Sequence, residues 1–284
     1  MAVNRKPIGT FLPKNLLRYL VLFAIAILTV APLLWLVSTA FKSPTENIFR
    51  FPPQFIPAQP TFENFIKVWR DNPFHIYLFN SFLVSSITVV LNLLFCSLAA
   101  FPLARSEFKG KSWLFWAIIG TSIIPFQITI VPLYILAVKL NLYNTYAGLI
   151  FPYVVSAFGI FLMRQAFLGV PKELEEAARM DGCSSLGIWW HVMLPSTRPA
   201  LTTLAVFTFV AMWGDYLWPL IVVSDSNPAL FTLPLGVAKL ESAFDQNWRL
   251  IAAGAVISIL PILIFFLFMQ RYVIPSDTGA GVKG

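Results

Sequence analysis

Charge is what this chain has least of, and its scarcity sets the class. Asp, Glu, Lys and Arg make up 12% of 284 residues, against about 25% in soluble domains, while 58% are hydrophobic and the mean hydropathy is +0.75. A soluble globular protein is excluded. Cysteine and histidine are also rare, two of each, and Cys96, Cys183, His75 and His191 match none of the usual zinc spacings, so no metal site is expected. Cys96 falls in a long apolar run and Cys183 in a segment assigned below to the reducing cytoplasm, which argues against a disulfide. Also missing is a glycine-rich loop ending in Gly-Lys-Ser or Gly-Lys-Thr: Gly110-Lys111-Ser112 follows Arg105-Ser106-Glu107-Phe108-Lys109, without a glycine. The chain has no phosphate loop for nucleotide chemistry of its own. No interval between apolar runs is long enough to bury a separate core, and no strong internal repeat is present.

What is present is a set of charge-free windows. They run over 19–41, 72–104, 112–138, 140–163 and 250–270, and a sixth, 199–224, is interrupted only by Asp215. About 20 apolar residues carry a helix across the hydrocarbon core, where only a helix or a closed barrel satisfies its own backbone. The expected fold is therefore an all-α membrane protein, a single domain over 1–284. Its six spans lie at about 19–41, 79–104, 112–138, 142–163, 199–223 and 250–270. The first has a basic flank like a signal peptide, but its 23-residue run is too long for one.

The net charge of +7 follows topology and forms no nucleic-acid patch. With the N-terminus in the cytoplasm, 13 of 20 basic residues lie inside, among them Arg105, Lys109, Lys111, Arg164, Lys172, Arg179 and Arg198. Both termini are then cytoplasmic, with an inner loop at 164–198, outer loops at 42–78 and 224–249, and a cytoplasmic tail at 271–284. In the first outer loop five prolines forbid a regular helix until Thr61, which caps a short helix through Trp69. The second begins with a turn signal, Asp225-Ser226-Asn227-Pro228, and leaves room for a short helix near 238–244.

Few polar residues fall inside the spans. Asp215 costs about 2.5 to 3.5 kcal/mol at a helix centre and needs compensation. Two readings stand: it lines a translocation path, or it sits near the outer interface within an aromatic belt of Trp213, Tyr216 and Trp218. Asn92 and Gln127 are weaker path candidates, since amides in spans more often bond between helices. Pro125 and Pro132 would kink the third span.

The inner loop carries the most information. Pro171 suits a first helical position, Glu173 and Glu175 favour the positive end of a helix dipole, and Gly182 suits the stop, so a short helix is expected over 171–181. On it Leu174, Ala177, Ala178 and Asp181 share a face at helical spacing, while Glu175 and Arg179 pair at i, i+4. That face is small enough for another protein to approach the backbone closely. A solvated connector is the competing interpretation. A second helical stretch follows over 185–192, and Pro195 opens the return to the membrane.

Glu176-Ala177-Ala178, Gly182 and Leu194-Pro195 resemble the EAA loop of permease subunits in binding-protein-dependent ABC importers. The surroundings are similar to the carbohydrate-uptake, maltose-type branch, in its smaller six-span permease. Matching stretches include Phe51-Pro52-Pro53, Glu63-Asn64, Asn80-Ser81, Ile160 to Gln165, Pro171 to Leu174, Trp218-Pro219-Leu220, Gln270-Arg271-Tyr272 and Gly281 to Gly284. The resemblance implies the type I ABC importer permease fold and an extracytoplasmic sugar delivered by a binding protein. It also implies a second permease subunit, a distinct homologue, and a dimer of cytoplasmic ATPase subunits that use ATP and Mg. The permease itself is non-catalytic, binds no cofactor and sits in lipid as a multi-pass protein of the bacterial cytoplasmic membrane. Carried over by residue, Glu176, Ala177, Ala178, Asp181, Gly182, Leu194 and Pro195 would couple to the ATPase. The tail would reach the ATPase interface, and the outer loop with Asn227, Pro228 and Gly236 would meet the binding protein. Abundant aromatics with few charges suit a neutral di- or oligosaccharide or a glycosylated polyol. Two other classes compete. An ion-coupled secondary transporter would want paired charges at mid-membrane and repeated halves, and an intramembrane enzyme would want a catalytic constellation at membrane depth.

Overall fold

A computed structural model describes residues 13–241 and 247–273. Its helices are α1 (Pro13–Phe41), α2 (Glu63–Asp71), α3 (Phe74–Arg105), α4 (Lys111–Thr121), α5 (Phe126–Lys139), α6 (Tyr146–Ile150), α7 (Ala157–Leu168), α8 (Lys172–Met180), α9 (Ser185–Ile188), α10 (Leu194–Ser196), α11 (Arg198–Trp213), α12 (Leu217–Val222), α13 (Leu233–Ala238) and α14 (Trp248–Val273). Among the described residues there is no strand, only an isolated antiparallel bridge between Lys42 and Pro60.

Three spans are continuous helices, α1, α3 and α14. The other three expected spans are broken, a kink having been expected only in the third. The third divides into α4 and α5, bent by 97° across 122–125. Pro125 is the cause: it has no N–H to donate and disfavours helical backbone at the residue before it, so α5 starts afresh behind it. Pro132, by contrast, is carried within α5. The fourth divides into α6, a 3₁₀ turn at Phe151–Tyr153 and α7, bent by 50°. The fifth divides into α11 and the six-residue α12, parted at 214–216.

The pieces are gathered around α3. It packs on α7, α11 and α13, while α1 packs on α14 and leaves most of its apolar surface exposed in the isolated chain. Buried side chains form one cluster around Phe74, Trp218 and Leu233 and a second around Met163, Phe167, Ile188 and Leu204.

Polar side chains of α3 bind the segment that leads into α13. Asn80 is fully buried and its Nδ2 donates to the carbonyls of Ala229 (2.8 Å) and Phe231 (2.9 Å), while its Oδ1 accepts from the Tyr146 hydroxyl at 2.7 Å. The next residue, Ser81, accepts the Leu233 N–H at 2.7 Å. Gly236 on α13 lies so close to Tyr77 that an added Cβ would stand 2.2 Å from the ring. The N-cap of α2 is Phe62 rather than the expected Thr61, which stands one residue earlier and accepts the Glu63 N–H at 3.1 Å, and on α2 itself Asn64 donates to the carbonyls of Ala40 and Lys42. The helix expected near 238–244 is observed earlier, as α13, and residues 242–246 lie outside those described.

Asn80→Ala takes the partner from the Ala229 and Phe231 carbonyls and the Tyr146 hydroxyl, the Phe231 bond being the buried one, so a loss of about 1–3 kcal/mol is expected. Thermal unfolding of the detergent-purified protein would register it as a lowered midpoint.

Candidate functional site

Two regions collect the residues singled out from sequence, one at each end of the α3–α7 pair. The first is the elbow formed by α8, α9, a π-helical turn at Trp189–Met193 and α10. Pro171 occupies the N-cap rather than the first helical position, and Asp181 is the C-cap. Gly182 then turns the chain with φ +82°. Its N–H donates to Arg179 O at 3.0 Å and the Cys183 N–H to Ala178 O at 2.9 Å, the paired closure that a left-handed residue permits. Nothing lies within 4 Å of a Cβ built there, so the requirement for glycine is conformational and not spatial. Ser184 caps α9 by accepting the Gly187 N–H at 3.2 Å.

The face expected on α8 is rotated in the structure. Ala178 turns inward with Glu175, both buried, while Leu174, Glu176, Ala177, Met180 and Asp181 are exposed. Residues three apart on a helix share a side, and the side holding 175 and 178 has the apolar neighbours Ile188 and Trp189 to bury against. Leu194 likewise packs toward the core, and Gly182 and Pro195 are exposed. The outward surface is therefore Glu176, Ala177, Asp181, Gly182 and Pro195, continued by Leu186 and Trp190.

Glu175 accepts from Arg179 at 2.8 Å, the pair expected at i, i+4, and is also 3.6 Å from Arg105 at the end of α3. The second contact has no signal in local spacing, because the two residues are far apart in the chain. Arg105, Glu107, Lys111, Lys172, Glu175, Glu176 and Arg179 together line a hollow of about 570 Å³.

The second region is a mostly apolar cavity of about 460 Å³ in the span region. Asn92, Ser156 and Thr208 supply polar atoms among Phe126, Tyr153, Phe158, Phe207, Ala211 and Met212. Asn92 is nearly buried: its Nδ2 donates to Tyr153 O (2.9 Å) and Ser156 Oγ (3.4 Å), and its Oδ1 accepts from Thr208 Oγ1 (3.4 Å). It ties α3 to α11 and to the break before α7. Gln127 is exposed on α5, away from this lining.

Asp215 stands at the break between α11 and α12, behind Tyr153 and outside the cavity lining. Its Oδ2 accepts the Tyr153 hydroxyl at 2.8 Å and its Oδ1 the Trp218 N–H at 3.4 Å, so it caps α12. The aromatic belt does not form as expected. Trp213 and Trp218 are buried, donating to Ser258 O at 3.1 Å and Gly148 O at 2.9 Å, and only Tyr216 of the three is exposed.

Between α12 and α13 Pro228 is exposed and Asn227 half-buried, its Nδ2 3.3 Å from Asn144 Oδ1. Gly236, expected beside them as a contact for another protein, is buried under Tyr77 and serves close packing instead. In the tail, residues 274–284 lie outside those described.

Comparison with known proteins follows the same lines. Residues 92–276 match the family model described as binding-protein-dependent transport system inner membrane component. The chain is 40% identical over 262 residues to the arabinooligosaccharides transport system permease protein AraQ of Halalkalibacterium halodurans, covering 92% of this chain and 93% of that one. It is 32% identical to the sulfoquinovosyl glycerol transport system permease protein SmoH of Agrobacterium fabrum, covering 98% and 97%. In fold it is similar to a chain of a bacterial ABC transporter involved in import of the acidic polysaccharide alginate, with TM-score 0.82 at 22% identity, covering 95% of this chain. With the matched region taking in the elbow, the cavity and the whole of the last helix, this chain belongs to the family of binding-protein-dependent transport system inner membrane components, as a non-catalytic permease subunit of an ABC importer.

Proposed function

We propose that the chain is half of the translocation path of an ATP-driven sugar importer, with the elbow as its seat on a separate ATPase. The observation that carries this is the elbow's division of labour: one side of α8 is buried against its own protein while Glu176, Ala177, Asp181 and Gly182 are presented outward on a sharply stopped helix. A short helix with small exposed residues fits a groove of a partner better than a lipid surface, which would favour larger apolar groups and more cations. Family membership leaves the ion-coupled alternative without support.

The broken segments are compatible with six crossings. Arg105 at the end of α3 meets Glu175 on the elbow, so an even number of crossings joins them, as the α4–α5 and α6–α7 pairs would provide. Asn80 near the start of α3 meets the 229–231 carbonyls, and Arg249 meets Glu46, which groups the outer loops at the opposite end. The excess of basic residues on the elbow's side favours that side as cytoplasmic, with both termini there, in the bacterial cytoplasmic membrane. A second permease subunit would complete the path, a dimer of ATPase subunits would supply ATP and Mg chemistry, and an extracytoplasmic binding protein would deliver the solute. The relatives named for arabinooligosaccharides and sulfoquinovosyl glycerol support a di- or oligosaccharide or a glycosylated polyol as cargo. The cavity, with one amide and two hydroxyl side chains among aromatic rings, has the chemistry for such a solute. Asn227 and Pro228 are the proposed contacts for the binding protein.

Capture of this subunit from gently solubilised native membranes, followed by mass spectrometry, tests the assembly. An ATPase, a second permease and a sugar-binding protein are expected; recovery of the chain alone would refute the reading. Glu176→Trp is expected to lower uptake about tenfold or more, the effect of losing a central interface contact worth over ~1.4 kcal/mol, with membrane insertion unchanged. Gly182→Val, forced into a left-handed backbone at about 1–2 kcal/mol, should act in the same direction. Ordinary uptake by both variants would remove the coupling assignment. Asp215→Asn should alter the concentration dependence of uptake by loosening the Tyr153 contact beside the cavity, and an unchanged curve would assign Asp215 to capping alone.

A further inference from the structure

Arg105 is the last residue of α3, and its side chain is only 6% exposed. A buried guanidinium needs acceptors for its donors and an anion for its charge. Neighbouring elements provide both. Nη2 donates to Phe167 O at 2.7 Å and to Val170 O, carbonyls in the last turn of α7 and just after it, and so places a cation at the negative end of that helix. Nε stands 3.6 Å from Oε2 of Glu175 without a hydrogen bond, so its hold on the carboxylate is electrostatic. The Glu175 side chain is 10% exposed, and its other oxygen is held by Arg179.

We infer that Arg105 is a positioning residue for energy coupling: through Glu175 it fastens α8 to the ends of α3 and α7, so that movement of the elbow reaches the cavity. This rests on the coupling role proposed above. The covalent link from α7 to α8 is only Gly169-Val170-Pro171, and α8 packs mainly on α9 and the π-helical turn, parts of the same loop. Without a cross-brace, displacement of α8 would be absorbed in that loop. The brace joins it instead to the two helices whose other parts carry Asn92, Ser156 and Phe158 into the cavity lining. Lys172, Lys111 and Glu107 face the same hollow, but Lys111 lies 3.5 Å from Glu107, an exposed pair. The Arg105–Glu175 contact is the buried one, shielded from the screening that weakens surface pairs.

The test uses the intact complex captured through this chain, carrying Cys183→Ser to remove the exposed thiol and Ala211→Cys to report from the cavity; Cys96 is buried and stays. The rate of maleimide labelling at position 211 is measured with and without ATP, Mg and orthovanadate, alongside ATP hydrolysis by the same preparation. Nucleotide should change labelling in the otherwise unaltered chain. Arg105→Lys, which keeps the charge but loses the fork, and Glu175→Gln should each shrink that change about tenfold per complex, beyond any shared fall in hydrolysis. The double variant should fall no further than the worse single one, since both remove the same brace. An undiminished nucleotide response in either single variant, or losses that multiply in the double, would overturn the inference, including where variants merely lower the yield of complex. Failure to capture an ATPase, or labelling indifferent to nucleotide in the unaltered chain, would instead overturn the coupling reading and this inference with it.

Discussion

In hydrocarbon a loose carbonyl or amide cannot turn to water, and the architecture depends on how this chain meets that constraint. Half of its expected spans are broken, and each break frees backbone groups. The unbroken helix α3 answers them with side chains at successive depths. Asn80 and Ser81 take the backbone of the outer segment at 229–233, Asn92 takes the Tyr153 carbonyl at the break before α7, and Arg105 takes the Phe167 and Val170 carbonyls where α7 ends. One continuous rod thereby holds the discontinuous ones in register.

The same logic operates between broken segments. Tyr153 and Asp215 lie at the interruptions of the fourth and fifth spans and bond to each other, while the Trp218 indole closes on the carbonyl of Gly148. Breaks usually weaken a membrane helix; here those of the fourth and fifth spans are tied to each other by side-chain hydrogen bonds beside the cavity.

At the inner end, the elbow combines two opposed demands. In the proposed coupling role it exposes small residues and a carboxylate to a partner, yet stays attached firmly enough to move the membrane segments. Helical periodicity satisfies both, with Glu175 and Ala178 turned inward and Glu176 and Ala177 turned outward on a helix of nine residues. Gly182 then ends the helix sharply, so the exposed corner has a defined shape.

The sequence by itself determined the membrane class, the position of the apolar segments, the elbow and its helix stop, because these follow from hydropathy windows and backbone preferences that act over a few residues. The motif around Glu176 and Gly182 likewise made the family legible before any coordinates. Only the tertiary structure decided which side of α8 faces out, that Trp213, Trp218 and Gly236 are buried, that Asp215 caps a broken helix against Tyr153, and that Arg105 reaches Glu175. Those outcomes turn on which distant segment lies alongside. A helix repeats every 3.6 residues but carries no mark of its neighbour, and an arginine at the end of one span has no local feature to show that its carboxylate lies on a loop two spans later.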